Sequence, residues 1–179
     1  MPKLTRLLTE ATDEELLKSC TSAARYMLEK DPDQMFNWAN HDGKTGLEVL
    51  LIVIDRLLSP AVDDNAAAEV GGLAAALVEK AGADRLGPYL TQLLSAVAQR
   101  LGTATQAAFI QSLILVFARL SLLSAHEVID FLAQLAIGNE SGLQVVMAKW
   151  LENSVNFAGY EEIRQKYVLP LIHVRNSVT

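Results

Sequence analysis

The sequence predicts an all-α fold of stacked antiparallel helix pairs, and three observations carry that prediction. Five helix-start boxes place a hydroxyl three residues before a Glu or Gln: Thr12/Glu15, Thr45/Glu48, Thr103/Gln106, Ser124/Glu127 and Ser141/Gln144. In such a box the hydroxyl accepts from a backbone N–H orphaned in the first helical turn, and the Glu or Gln reaches back to the cap's own N–H. Each box is followed by apolar residues at offsets of three and four, the spacing of one buried helical face. The predicted first helices of successive pairs also begin at a steady interval, near residues 2, 45, 86, 125 and 160.

Taken in order, Leu4, Leu7 and Leu8 make a short helix to about Ala11. Thr12 is the expected cap of the next, whose stripe is Leu16, Leu17, Cys20, Ala23, Ala24, Met27 and Leu28. Asp31-Pro32 caps a short helix carrying Met35, Phe36 and Trp38, and Asn40 to Lys44 is a turn. A helix from Thr45 to about Leu58 is apolar all round through Val49–Ile54, which predicts cover on both sides. Ser59-Pro60 ends it. Asp63 or Asp64 is the expected cap of a helix to about Lys80, stopped by Gly82; within it Gly71-Gly72 permits close helix packing. Gly87-Pro88 opens a helix with stripe Leu90, Leu93, Leu94, Val97 and Leu101. Thr103 caps the next, with Phe109, Ile110, Leu113, Ile114, Phe117 and Leu120. Ser124 starts Val128 to Leu135, and Ser141 starts a helix with Leu143, Val146, Met147, Trp150 and Leu151. A last helix from Tyr160 meets Pro170, where it is expected to kink or break.

The pairs therefore read 2–40, 45–80, 86–122 and 125–157, with a half repeat at 160–176. Their spacing lies close to the period of about 40–47 residues expected for HEAT repeats. At least eight helices and no sheet are expected. Both ends read as cut, because solenoids carry polar capping repeats, so the chain is expected to be a fragment of a larger solenoid.

Composition narrows the function. The chain has 179 residues, 51% of them hydrophobic, with five Pro and ten Gly. The single cysteine, Cys20, excludes an intramolecular disulfide. With no signal peptide in evidence, it points to the cytosol or nucleus. The longest charge-free stretch, Leu101 to Ala118, holds Thr103, Thr105, Gln106, Gln111 and Ser112, too polar for a bilayer core, so no membrane association is expected. Net charge is −6, concentrated in residues 1–84, which hold 15 acidic and 8 basic side chains; residues 85–179 hold 6 and 7. An acidic half argues against nucleic acid as a direct partner and would attract a basic protein.

No catalytic constellation stands out, so no enzyme activity and no cofactor or metal is expected. His41, His126 and His173 are far apart, with no partner at metal-ligand spacing. Trp150 falls on a core stripe, whereas Trp38 lies by a turn and is a candidate contact. Asp13, Glu14, Asp63, Asp64 and Glu69 are candidates to bind a basic cargo, in competition with a purely structural role at helix N-termini, where negative charge is favourable.

Several of these segments carry a family resemblance. The run Gln111-Ser112-Leu113-Ile114-Leu115-Val116-Phe117-Ala118-Arg119-Leu120, then Val146-Met147-Ala148-Lys149-Trp150 and Gly159-Tyr160-Glu161, resemble the importin-β superfamily and, within it, the importin-9 branch. Gly46-Leu47 with Val53-Ile54-Asp55-Arg56-Leu57-Leu58-Ser59-Pro60 resembles the same branch. The resemblance implies a longer nuclear import receptor shuttling between cytoplasm and nucleus. Its implied cargo is basic protein such as histones and ribosomal proteins. The GTPase Ran would act mainly through regions outside this chain, and nucleoporins are a further partner class. It also implies that second helices, near 13–29, 64–80, 103–121 and 141–156, line the cargo side. The alternative is a HEAT-repeat scaffold subunit of a cytosolic or nuclear complex, without transport activity.

Overall fold

The computed structural model describes residues 2–40, 42–87 and 89–154. The expected helix from Tyr160, the segment Gly159-Tyr160-Glu161, His41, His173 and the helix-opening Pro88 lie outside the described residues.

Among the described residues eight helices form: α1 Pro2–Glu10, α2 Glu14–Lys30, α3 Pro32–Asn37, α4 Gly46–Leu58, α5 Val70–Leu86, α6 Tyr89–Thr103, α7 Ala107–Gln134 and α8 Gly142–Glu152. They stack in two rows. Helices α1, α4, α6 and α8 pack successively against one another, and α2, α5 and α7 form the second row, each also packed on its pair mate. This is the two-layer arrangement of a HEAT-repeat solenoid. The sequence expectation placed the helix near 141–156 in the second row; α8 instead packs on both α6 and α7.

Two of the five boxes form completely. Thr45 caps α4 and Ser141 caps α8, each with its Glu48 or Gln144 reaching back to the cap N–H. Hydrogen bonds from the Thr45 backbone and hydroxyl hold the Glu48 carboxyl below the usual carboxylate range. The other three boxes are used differently. Asp13, not Thr12, caps α2, its carboxylate accepting from the Leu16 N–H at 2.8 Å. Thr103 ends α6, its hydroxyl donating to the Arg100 carbonyl. Ser124 does mark a helix start, as the sequence predicts, since its non-helical backbone (φ −153°, ψ 86°) divides α7 into two stretches, but its hydroxyl makes no capping bond. Asp31 caps α3 ahead of Pro32, and Ser59 ends α4, both as the sequence predicts.

A small sheet corrects the expectation of none. Residues Ala136–Ile137 (β1) and Glu140–Ser141 (β2) pair antiparallel around Gly138, whose φ of 62° suits the tight turn that Gly138-Asn139 makes. Cover on α4 is also incomplete: Ile52 is 42% exposed and Leu51 half-buried.

The core runs through the interface of the rows, with Leu28, Met35, Ile54, Leu57, Leu73, Leu77, Phe109, Leu113 and Phe117 essentially inaccessible to solvent. Its tightest point is α5 against α7. Residues Val70 to Val78 of α5 are all buried and mostly small. A Cβ on Gly71 would fall on the backbone carbonyl of Ser112, so the two helices touch backbone to backbone there. Side chains of α7 then bury deeply: Phe109, Leu113, Val116 and Phe117 are at most 1% exposed. By length and composition alone α7 could cross a membrane; here these apolar residues belong to the core.

Polar stitches join the turns between the rows. Arg56, near the end of α4, donates to the carbonyls of Leu8 and Ala11 at the end of α1, the second bond at 2.7 Å. The Leu8 carbonyl belongs to the last turn of α1, which leaves it without an intrahelical partner, and Ala11 follows just beyond the helix. The next stitch is made by Asp64, and here the expectations are corrected. Asp64 does not cap α5, which starts only at Val70. It is also 9% exposed. Its carboxylate accepts from the N–H groups of Thr105 and Gln106, from the Thr105 hydroxyl, and from Arg100 at 2.5 Å. Asp64 therefore caps the entrance to α7 from the preceding pair, which explains why Gln106 and Thr103 need not. Arg100 also donates to the Val62 carbonyl and lies over the Phe109 ring.

Burial alone would push the Asp64 carboxyl up, but the Thr105 and Gln106 N–H bonds, the Thr105 hydroxyl and Arg100 outweigh it, and the group titrates below its ordinary value. A depressed folded-state value contributes stability above the unfolded value of about 3.9, and that contribution is lost as pH falls through the lower folded value. Replacing Asp64 by Ala should cost roughly 3–5 kcal/mol at neutral pH, because Arg100 is left buried and unpaired. In thermal unfolding, the gap between wild type and Asp64→Ala should narrow below about pH 4. A second expectation follows from the helix crossing: Gly71→Ala should cost about 1–3 kcal/mol, read as a fall in denaturation midpoint.

Candidate partner-binding surface

Sequence-predicted site residues distribute over two edges. The turns after α1, α4 and α6 all pass from the first row to the second, so they share an edge, and Arg56 and Asp64 physically link them. Asp13 stands on the first of these turns and Glu14 opens α2 beside it, both exposed. Asp63, also exposed, is on the second, where one of its oxygens accepts from the Asn65 N–H at 2.8 Å. Glu69 closes the same turn. It is half-buried and makes no capping bond to α5. The structure thus brings four of the predicted carboxylates to one edge. Asp13 and Asp63 each spend one oxygen on the local backbone and keep the other for solvent.

Trp38 does not join them. It ends α3, half-buried, with its carbonyl accepting from Gly46 N–H at 2.7 Å. The 17 residues of α2 separate it from Asp13, about 25 Å of helix. Asp64 sits on the acidic edge but beneath its surface, with its oxygens engaged by the fold, so it offers little to a partner. Trp150 is 7% exposed and belongs to the core.

Two hollows were not foreseen. One, of about 360 Å³, lies between α4 and α6; Leu51, Ile52, Leu58, Tyr89, Leu93 and Ala96 make its walls, with Asp55 and Gln92 as its polar members. The other, of about 370 Å³, lies between α5 and α7 and is lined by Ala75, Val78, Leu120, Leu122 and Leu123 beside the Glu79–Arg119 ion pair. Leu123 is 73% exposed. A signal for the first was available: a helix apolar all round, followed by one opening on a tyrosine, must leave some apolar surface where two helices of one row diverge. The second follows from Leu122-Leu123 preceding the break at Ser124, which no periodic stripe uses. Among the described residues, no group of three or more His, Cys, Asp or Glu is placed to hold a metal ion.

No family model matches the chain. It is 32% identical over 154 residues to importin subunit beta-5 of Schizosaccharomyces pombe, which aligns with 84% of this chain and 15% of that protein. It is 29% identical over 165 residues to importin subunit beta-5 of Saccharomyces cerevisiae, covering 92% of this chain and 16% of the relative. Importin-9 of Drosophila melanogaster is 26% identical over 163 residues, 90% of this chain and 16% of the relative. The chain thus spans about one sixth of the length of the curated relatives it matches. Two helical rows of the HEAT kind, matched in sequence across nearly the whole chain to these importins, place it in the importin-β family.

Proposed function

We propose that this chain is a cargo-handling segment of a nuclear transport receptor, which carries basic proteins into the nucleus under the control of Ran. The observation that carries the reading is the row of exposed carboxylates, Asp13, Glu14 and Asp63 with Glu69 beside them, along one edge of the stack. Acidic side chains in line attract Lys- and Arg-rich surfaces over a Debye length and speed their encounter. Histones and ribosomal proteins are the cargo class that fits. Ran acts mainly through parts of the receptor outside this segment, and shuttling between cytoplasm and nucleus follows from the transport role. The half-open groove between α4 and α6 supports nucleoporins as a further partner class, since an apolar side chain from a partner would find Leu51, Ile52 and Tyr89 there. Asp64 is left out of the cargo surface because of its burial, and Trp38 because it stands on the other edge.

The test is charge reversal of Asp13, Glu14, Asp63 and Glu69 to Lys in the full-length receptor, with binding of a histone dimer measured with and without Ran-GTP. The expected result is a loss of affinity of tenfold or more at low salt. The loss should shrink toward 0.3 M salt, where the Debye length is about 6 Å. Some loss of helix N-terminal stability, about 0.3–1 kcal/mol per favourable charge removed, accompanies it. Unchanged histone affinity with a lowered melting temperature would assign these carboxylates to the fold. Binding that is saturable but indifferent to Ran-GTP would favour the scaffold reading.

A further inference from the structure

Thr12 is an exposed threonine in the turn between α1 and α2, outside both helices. Its side chain is free of the capping role, which Asp13 takes by bonding the Leu16 N–H. It is followed directly by Asp13, Glu14 and Glu15. Three Ser or Thr residues among the described ones have a carboxylate three positions on: Thr12, Thr45 and Ser124. Thr45 spends its hydroxyl on the α4 capping box with Glu48. Ser124 is half-buried inside α7. Thr12 alone of the three combines an accessible, unengaged hydroxyl with carboxylates at each of the next three positions.

A further group lies one residue away. The Arg56 guanidinium, half-buried, is held on the carbonyls of Leu8 and Ala11, so a cation already sits beside the Thr12 backbone. Those two bonds use neutral acceptors. A phosphate is a much stronger acceptor for guanidinium, taking paired, charge-assisted bonds.

We propose that Thr12 is a phosphorylation site for an acidophilic Ser/Thr protein kinase, and that the phosphate draws Arg56 away from the end of α1. Such a kinase reads carboxylates after the acceptor through its own basic groups, a charge pattern that sets substrate choice. The Thr12 Oγ1 attacks the γ-phosphorus of ATP; a P–O bond to threonine forms, the bond to the β-phosphate oxygen breaks, ADP leaves, and the hydroxyl proton passes to the kinase's base. The product carries about −1.5 to −2 charges at neutral pH. It adds to the acidic edge, and it competes with Leu8 and Ala11 for Arg56. Helix α1, held on the stack by that arginine and by the buried Leu8, loosens when the arginine leaves.

The experiment treats the full-length protein with ATP and a casein kinase type II enzyme. The peptide Leu7–Lys18, released by cleavage after Arg6 and Lys18, should gain a single phosphate that fragmentation assigns to Thr12. Thr12→Val should abolish it, while Thr45→Val and Ser124→Ala leave it unchanged. Hydrogen exchange across α1 should become several-fold faster on phosphorylation. Arg56→Gln should show that faster exchange without phosphate and no further increase with it. Absence of phosphate on this peptide, or assignment to Thr9, overturns the site. A phosphorylated Thr12 with unchanged α1 exchange overturns the role of Arg56.

Discussion

The Asp64 carboxylate is the contact on which the stacking geometry depends. It joins the turn of one helix pair to the entrance of the next by bonding two backbone N–H groups that no helical partner can satisfy. An N-terminal cap is normally supplied from the residue just ahead of the helix. Here it arrives from about forty positions earlier, so the capping energy of α7 is obtained only when the two pairs are stacked in one register. Local helix formation and inter-pair packing are thereby coupled. The buried Arg100 balances the charge and is itself held by Val62, Asp64, Thr103 and the Phe109 ring. Its Nε remains buried without a partner, the one such side-chain atom among the described residues.

Backbone contact at Gly71 and Ser112 does for the second row what the stitches do for the turns. Alanines and glycines in α5 let its neighbours close over it, and the aromatic and branched side chains of α7 supply the volume that α5 lacks. Large opposite small fills the interface at interior density. Recession of α5 between α2 and α7 keeps Val70 to Val78 away from the surface, so the charged side chains of this helix, Glu79, Lys80, Asp84 and Arg85, fall in its second half.

Much of this was legible in the sequence. Offsets of three and four placed α1, α2, α6, α7 and α8, and Thr45, Asp31, Ser59 and Ser141 marked true ends, whereas the helix expected from Asp63 or Asp64 to Lys80 runs instead from Val70 to Leu86. The misreadings share a physical cause: a hydroxyl three residues before Glu or Gln is a local pattern, and local patterns lose to stronger partners. At Thr12 an adjacent carboxylate was the better acceptor; at Thr103 the helix C-terminus claimed the hydroxyl; at α7 a distant aspartate supplied the cap. The two-residue strands were missed because Gly138-Asn139 is a turn signal flanked by too little alternation to read as strand. Of the candidate site, the exposed carboxylates could be named from charge alone. That Asp64 is consumed internally could not, since its partners lie some forty residues away, on the next pair.

The two edges are fastened differently. Arg56 and Asp64 tie consecutive turns on one by side-chain bonds to backbone, whereas across the opposite edge the described cross-links include the backbone pairing of Trp38 and Ala39 with Gly46 and Thr45, an exposed Arg85–Asp33 pair at 3.3 Å and the stacking of Arg85 on Phe36. Exposed pairs of that kind contribute little. On the first edge the spacing of consecutive turns is set by side chains that reach from one pair into the next, so the exposed carboxylates there stand on turns whose separation the polar bonds themselves fix, like the marks of a ruler.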